Sequence, residues 1–417
     1  MTVPPDFETL LRHARVGDAN AQYELAKTLT RGGRRDEAEH WLQAAAQSGH
    51  INALYTIATR NLFASETTVQ GVAALNAAAD RGSIAARRLL CVCRALGVDG
   101  PADEASALSD WIALAREDDP DALSAIACVL ALSDVEDPLI SDIAAKAAVD
   151  EPVAAAFLLA RGGAGRSVSG DLGRYSTLLS QSRYPRTAQL TAGVKGARKD
   201  APQPVDWDRV AERLSLTPAS PPRAERLCES PDVVIFRQAV APEICEYVIA
   251  HAAARLGPSL VYDPTRTRMI KDPLRTSMTA SLSVADQDLA VIALNRLLAD
   301  AAGVAEENGE FLSVMRYAPG QEYKPHFDCI PPGPDLDRSG QRSKTALLFL
   351  NDDFEGGETH FPAGELKVRG GRGDILVFSN LTASGAPDPA SRHAGLPIRS
   401  GEKWLASKWL RTKKFLY

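Results

Sequence analysis

Residues 323–332 read YKPHFDCIPP and set His326 and Asp328 two positions apart, just after Tyr323 and Lys324. On an extended strand, side chains at i and i+2 leave from the same face. The imidazole and the carboxylate are therefore expected to project together, while Phe327 packs into the opposite side. Such a pair fills two corners of a metal's coordination sphere, and a third ligand has to come from elsewhere. His393, in SRHAGLPI after the long loop that follows GDILVFSNL, is the candidate.

Two histidines and one carboxylate leave three adjacent positions open on the metal, the arrangement of non-haem Fe(II) oxygenases. Zinc competes for such a set, although catalytic zinc sites often use three His, or His with Glu or Cys. Lys403 sharpens the choice. It lies ten residues after His393 in SGEKWLASKWL, where strand alternation sends it inward. An unpaired buried ammonium is costly, so an inward lysine needs an anion. A dicarboxylate that chelates the metal with one end and reaches Lys403 with the other meets that need.

Around these residues the chain is β-rich: VVIFRQ, FLSVMRYA, KTALLFLND, GDILVFSNL and the closing KWLASKWLRTKKFLY read as strands, and PEICEYVIAHAAARL as a helix. The first half is different. A phrase recurs from Gly17 (GDANAQYELA), Gly49 (GHINALYTIA) and Gly82 (GSIAARRLL), with weaker echoes at Asp118 and Asp150, each opening an apolar-periodic helix. Between phrases lies a second helix, such as RRDEAEHWLQAAAQS with Ala38, Trp41, Leu42 and Ala45 on one face. A period in the thirties with two helices per unit marks an α-solenoid. Ala21, Ala53, Ala86, Ala122 and Ala154 recur where a small side chain lets helices approach closely. The phrases resemble Sel1-like repeats, relatives of the tetratricopeptide repeat, over roughly residues 8–160. The expected organisation is a helical repeat domain over 8–182, a Pro- and Gly-bearing basic linker over 183–222, and a catalytic domain over 223–417 able to stand without the repeats.

Three segments carry a second resemblance: EFLSVMRYAPGQEYKPHFD, LLFLNDDFEGGETHFP and RHAGLPIRSGEKWLASKWL, with RTS at Arg275–Ser277 upstream. Together they are similar to the prolyl 4-hydroxylase branch of the iron(II)/2-oxoglutarate dioxygenases, over roughly residues 230–413. The resemblance implies a double-stranded β-helix, a jelly roll with flanking helices and the metal in its mouth. It implies Fe(II) on His326, Asp328 and His393, with 2-oxoglutarate and O2 as cosubstrates and ascorbate as a candidate reductant. Tyr317 and Lys403 would hold the far carboxylate of 2-oxoglutarate, helped by Thr359. Arg342 and Tyr323 match positions that face a substrate peptide, and Trp409 an aromatic lining the same cavity. Three features depart from the family pattern: Cys329 after the ligand Asp, His360 in GGETHFP, and the loop SNLTASGAPDPASRH. His360 is expected to be a packed or surface residue, Cys329 a small buried side chain, and Trp404 core.

The remaining numbers exclude more than they assign. A net charge of −6 gives no electrostatic ground for nucleic acid or an anionic membrane as partner. The N-terminus lacks a basic segment followed by an apolar run, no stretch is long and apolar enough to span a bilayer, and six cysteines occur without a C-x-x-C pair. A cytoplasmic enzyme with reduced thiols is expected. Its expected partner is a protein or peptide substrate brought in by the repeats. The alternatives are a hydroxylase of a free amino acid and an adaptor whose dioxygenase module is vestigial.

Overall fold

A computed structural model describes residues 7–62, 67–98, 100–194, 197, 199–263, 268–271 and 273–415. The chain divides into two compact units, Met1–Leu114 and Ala115–Leu416.

The first unit is built of successive helices, Phe7–Arg15, Ala19–Arg31, Arg35–Gln47, Ile51–Asn61, Thr68–Ala79 and Ile84–Leu96, each packed on the next. The recurring phrase works as a turn and cap. Gly17, Gly49 and Gly82 adopt φ of 92°, 79° and 88°, the left-handed region that a glycine enters without a Cβ penalty. The next side chain then caps the helix: Asp18 accepts from the N–H of Ala21, His50 from Ala53 and Ser83 from Ala86. The capped alanines are buried, as their recurrence required. In helix Arg35–Gln47, Ala38, Leu42 and Ala45 form the buried face.

The phrase continues into the second unit. Asp118, with φ 61°, stands where the earlier copies use glycine, and Asp119 caps helix Pro120–Ser133 through the N–H of Ala122. Glu151 caps Pro152–Gly163. Helix Pro152–Gly163 then packs on helix Pro242–Ala253, which belongs to the β-rich region. Buried ion pairs fix that contact. Arg161 donates to Glu243 at 3.0 Å, and Arg186 donates to both oxygens of Glu246 at 3.1 and 3.2 Å. The stretch 183–222, expected as a linker, contains helices Thr187–Gly193 and Trp207–Arg213 as well as the buried Tyr184 and Arg186. Its basic, proline-bearing texture is local, whereas its acidic partners lie more than fifty residues away in sequence. Composition alone does not reveal such pairs.

The catalytic region is antiparallel throughout. Besides a separate antiparallel pair, Val261–Asp263 with Arg268–Ile270, its strands are β1 (Glu225–Cys228), β2 (Val233–Phe236), β3 (Gly257–Pro258), β4 (Met278–Leu282), β5 (Leu312–Tyr317), β6 (Tyr323–His326), β7 (Arg342–Phe349), β8 (Phe354–Gly356), β9 (Thr359–Phe361), β10 (Leu366–Val368), β11 (Ile375–Ser379), β12 (His393–Gly395), β13 (Ile398–Gly401) and β14 (Lys403–Arg411). An eight-stranded sheet runs β1-β2-β11-β7-β14-β5-β4-β3, a four-stranded sheet runs β6-β12-β9-β10, and β8 pairs with β13. Phe361 and Val368 of the smaller sheet share one core with Leu347, Phe378 and Leu405 of the larger. This is the expected jelly roll, and helix Leu289–Ala302 covers the outer face of the larger sheet at β7, β11 and β14. With both faces covered, β14 is buried over nearly its whole length.

Candidate active site

Strand pairing assembles the metal ligands. β6 and β12 are neighbours in the smaller sheet, and His326 lies directly opposite His393. Asp328 follows two residues after His326. His326 Nε2 lies 3.6 Å from Asp328 Oδ1, His393 Nε2 lies 3.8 Å from Oδ2, and one ligand atom from each residue falls within 4.8 Å of the others. The far side of each ring is fixed by backbone: His326 Nδ1 meets the carbonyl of Lys324 at 2.8 Å, and His393 Nδ1 meets that of Ser391 at 2.9 Å. A carbonyl only accepts, so both Nδ1 atoms carry hydrogen and both Nε2 lone pairs are free to bind metal.

The charge states suit the same task. Burial, reinforced by His393, pushes His326 down to about 3, so its ring is neutral at physiological pH. Burial pushes Asp328 up, but His393, His326, Arg342 and the Thr345 hydroxyl outweigh it and hold the carboxyl below its ordinary value. Thr345 donates to Asp328 Oδ2 at 2.6 Å and accepts from Asn380 at 2.9 Å. A neutral His326 imidazole, the Nε2 of His393 and an ionised carboxylate fit a divalent iron with open coordination positions.

The three ligands open into a cavity that reaches solvent, and Tyr317, Thr359, Lys403, Ser407 and Trp409 line it with them. Alternation along β14 places Lys403, Leu405, Ser407 and Trp409 on this inner face. Lys403 is only 3% exposed, and Tyr317 is its cross-strand partner. Its Nζ donates to the carbonyl of Gly357 at 2.7 Å and lies 5.2 Å from the centre of the Phe349 ring. Burial, only partly offset by Glu358, pushes the ammonium down to about 8. Ser407 Oγ and Trp409 Nε1 are buried without a hydrogen-bond partner. A buried cation with one neutral acceptor fits an anionic group at this end.

Residues 312–411 match the 2OG-Fe(II) oxygenase superfamily. Prolyl 4-hydroxylase 1 of Arabidopsis thaliana is 37% identical over 220 residues, which cover 49% of this chain and 77% of that one. The chain belongs to the prolyl 4-hydroxylase family. Among solved structures, the viral collagen prolyl hydroxylase of Paramecium bursaria Chlorella virus-1 aligns with 23% identity, over 44% of this chain and 98% of that one, at TM-score 0.35. A Sel1-repeat protein of Klebsiella pneumoniae aligns with 20% identity, over 45% of this chain and 98% of that one, at TM-score 0.29. The protein is an enzyme of the 2OG-Fe(II) oxygenase class, for which Fe(II), 2-oxoglutarate and O2 are implied.

Within this prolyl 4-hydroxylase site, Tyr323 stacks on His326 with ring centroids 3.4 Å apart, and Arg275 lies over the Tyr323 ring at 5.1 Å. Arg342 stands apart from the cavity wall. Its guanidinium binds both oxygens of Glu310 at 2.6 and 2.7 Å, donates to the carbonyl of Asp328 at 3.3 Å and lies 4.2 Å from the centre of the Trp409 ring. Phe327 departs from expectation. Its side chain is 46% exposed, because β6 ends at His326 and edges the smaller sheet, leaving no layer for Phe327 to pack into. His360, on β9, is not among the metal-binding group, and Trp404 is core. Cys329 is half-buried, donates to the carbonyl of Asn380, and is pushed up to about 11 by burial and by Asp328. Thr345, Asn380 and Ser407 were not foreseen as site residues. The polar positions interrupting KTALLFL and WLASKWL were the available signal.

Proposed function

We propose that the protein is a prolyl 4-hydroxylase-type enzyme that hydroxylates a side chain of a protein or peptide, with the helical repeats recruiting that partner. The observation that carries this reading is one cavity lined both by the His326, Asp328 and His393 cluster and by the buried Lys403. Its support on the substrate side is the prolyl 4-hydroxylase relatives and a cavity mouth open to solvent.

In this reading His326, Asp328 and His393 hold the iron, and Lys403 with Tyr317 and Thr359 holds the far carboxylate of 2-oxoglutarate. Bound Fe(II), with 2-oxoglutarate and O2, supplies the oxidising chemistry. The chain's own work is orientation and charge. The Nδ1 hydrogen bonds keep both imidazoles in the metal-binding tautomer, and Thr345 with Arg342 keeps Asp328 ionised. Lys403 supplies the positive charge that places the dicarboxylate, with Met315, Leu347, Ile398 and Leu405 keeping that end apolar and strengthening the ion pair. Tyr323 and Trp409 flank the route by which a substrate side chain approaches. No helix among the described residues is long and apolar enough to cross a membrane.

Incubation of the iron-loaded enzyme with 2-oxoglutarate, O2 and ascorbate tests the reading, with proline-containing peptides in one arm and free proline in another. The expected outcome is a one-oxygen mass gain on a peptide, matched by succinate. Gain on the free amino acid alone would assign a small-molecule hydroxylase. Gain on neither, with no succinate, would leave the adaptor reading.

A further inference from the structure

Arg186 comes from the helical segment ahead of the sheet, more than a hundred residues before the active-site strands, yet its contacts end beside Lys403. One edge of its guanidinium binds Glu246, which also accepts from Tyr184 at 2.5 Å. The other edge donates to both oxygens of Asp353, at 2.9 and 3.1 Å, in the turn between β7 and β8. Asp353 Oδ1 in turn accepts from the amide of Asn351 at 2.6 Å. Asn351 is fully buried and clamps the backbone on both sides of Lys403: its Nδ2 donates to the carbonyl of Glu402 at 2.7 Å, and its Oδ1 accepts from the N–H of Trp404 at 2.7 Å.

We propose that Arg186 is a positioning residue for the cosubstrate end of the cavity, acting through Asp353 and Asn351 on the peptide groups that flank Lys403. The proposal rests on the reading of Lys403 as the anchor of 2-oxoglutarate. The path has little slack. A Cβ on Gly401 would come within 2.5 Å of the Asp353 carbonyl and 2.9 Å of Phe354 Cα, so the turn carrying Asp353 lies directly against the residues leading into Lys403. Displacing Asp353 therefore displaces either Asn351 or the start of β14. The second ion pair of the same interface, Arg161 with Glu243, has no such route, since Arg161 donates otherwise to the carbonyls of Val135 and Ser167.

The test uses the full-length protein loaded with Mn(II), measuring its affinity for 2-oxoglutarate and for the metal by calorimetry, together with Tm. Asp353→Ala and Arg186→Met are compared with Arg161→Met and Lys403→Ala. Asp353 has a side chain 37% exposed, so Asp353→Ala tests the path even where Arg186→Met folds poorly. The expected result is that Asp353→Ala and Arg186→Met weaken 2-oxoglutarate binding by roughly 3- to 30-fold, with metal affinity unchanged. Arg161→Met lowers Tm without that loss, and combining Arg186→Met with Lys403→Ala adds nothing to Lys403→Ala. Wild-type cosubstrate affinity in both path variants, with Lys403→Ala impaired, overturns the proposal. So does an equal loss in Arg161→Met, which would mark a general structural effect. Wild-type affinity in Lys403→Ala would instead overturn the reading of the lysine and the proposal with it.

Discussion

The two ends of the active-site cavity are built on opposite principles. At the metal end every ligand side chain is already held by the protein: Lys324 and Ser391 carbonyls hold the imidazoles at Nδ1, and Thr345, itself held by Asn380, holds Asp328. At the other end the buried Lys403 ammonium has a single neutral carbonyl as its hydrogen-bond partner. The first end is organised before any ligand arrives. The second carries the cost of a desolvated charge that only an anion offsets. Metal affinity should therefore depend on the residues that orient three ligands, and cosubstrate affinity on one charge and on how its strand is held.

Removing a ligand should break the comparison most severely. Asp328→Ala is expected to abolish Fe(II)-dependent succinate formation while circular dichroism stays native, since the ligands border an open cavity. Lys403→Ala comes next. A charge-assisted contact in a partly dry pocket is worth about 1.5–3 kcal/mol, or roughly ten- to a hundredfold in 2-oxoglutarate affinity, and calorimetry should find metal binding intact. Thr345→Val, nearly isosteric, should weaken the metal about tenfold, in line with other outer-shell losses, while 2-oxoglutarate binding to the saturated metal form is unchanged.

The smallest effect is on pH. Burial has lowered Lys403 to about 8 from its ordinary value, so the ligand-free folded state binds this proton more weakly than the unfolded chain. The resulting destabilisation is fully present below about pH 8 and is relieved as pH rises toward the unfolded value. The dicarboxylate needs the protonated form, so its affinity should hold below pH 8 and fall by about tenfold at pH 9. Thermal shifts induced by 2-oxoglutarate should shrink over the same interval, and a shift constant to pH 9 would mean that the lysine is not the anchor.

Much of the catalytic end was legible because its signals are local or periodic. His326 and Lys403 stand on strands whose alternation announces which side chains share a face, Asp328 lies two residues past the end of β6, and the repeat phrase announced its own turn at Gly17, Gly49 and Gly82. Phe327 misled because alternation says which face a residue takes but not whether anything covers it. Arg186 was hidden for a different reason. Its partners Glu246 and Asp353 lie far along the chain, and a basic, proline-bearing stretch looks the same whether it is solvated or buried. The consequence is practical: a fragment of residues 223–417 would strip helix Pro152–Gly163, Tyr184 and both arginines from helix Pro242–Ala253 and bare that face to water. An apolar helix face left uncovered favours association, and the fragment is expected to aggregate rather than act alone.

The central claim is that one cavity joins an iron site to a 2-oxoglutarate site. Succinate formed from 2-oxoglutarate by the full-length protein, with and without Fe(II), and by His393→Ala under identical conditions, tests it most directly. The account predicts iron-dependent succinate from the wild-type protein and none from His393→Ala. Succinate from His393→Ala at the wild-type rate, or 2-oxoglutarate left unconsumed by the iron-loaded wild-type protein, would contradict it.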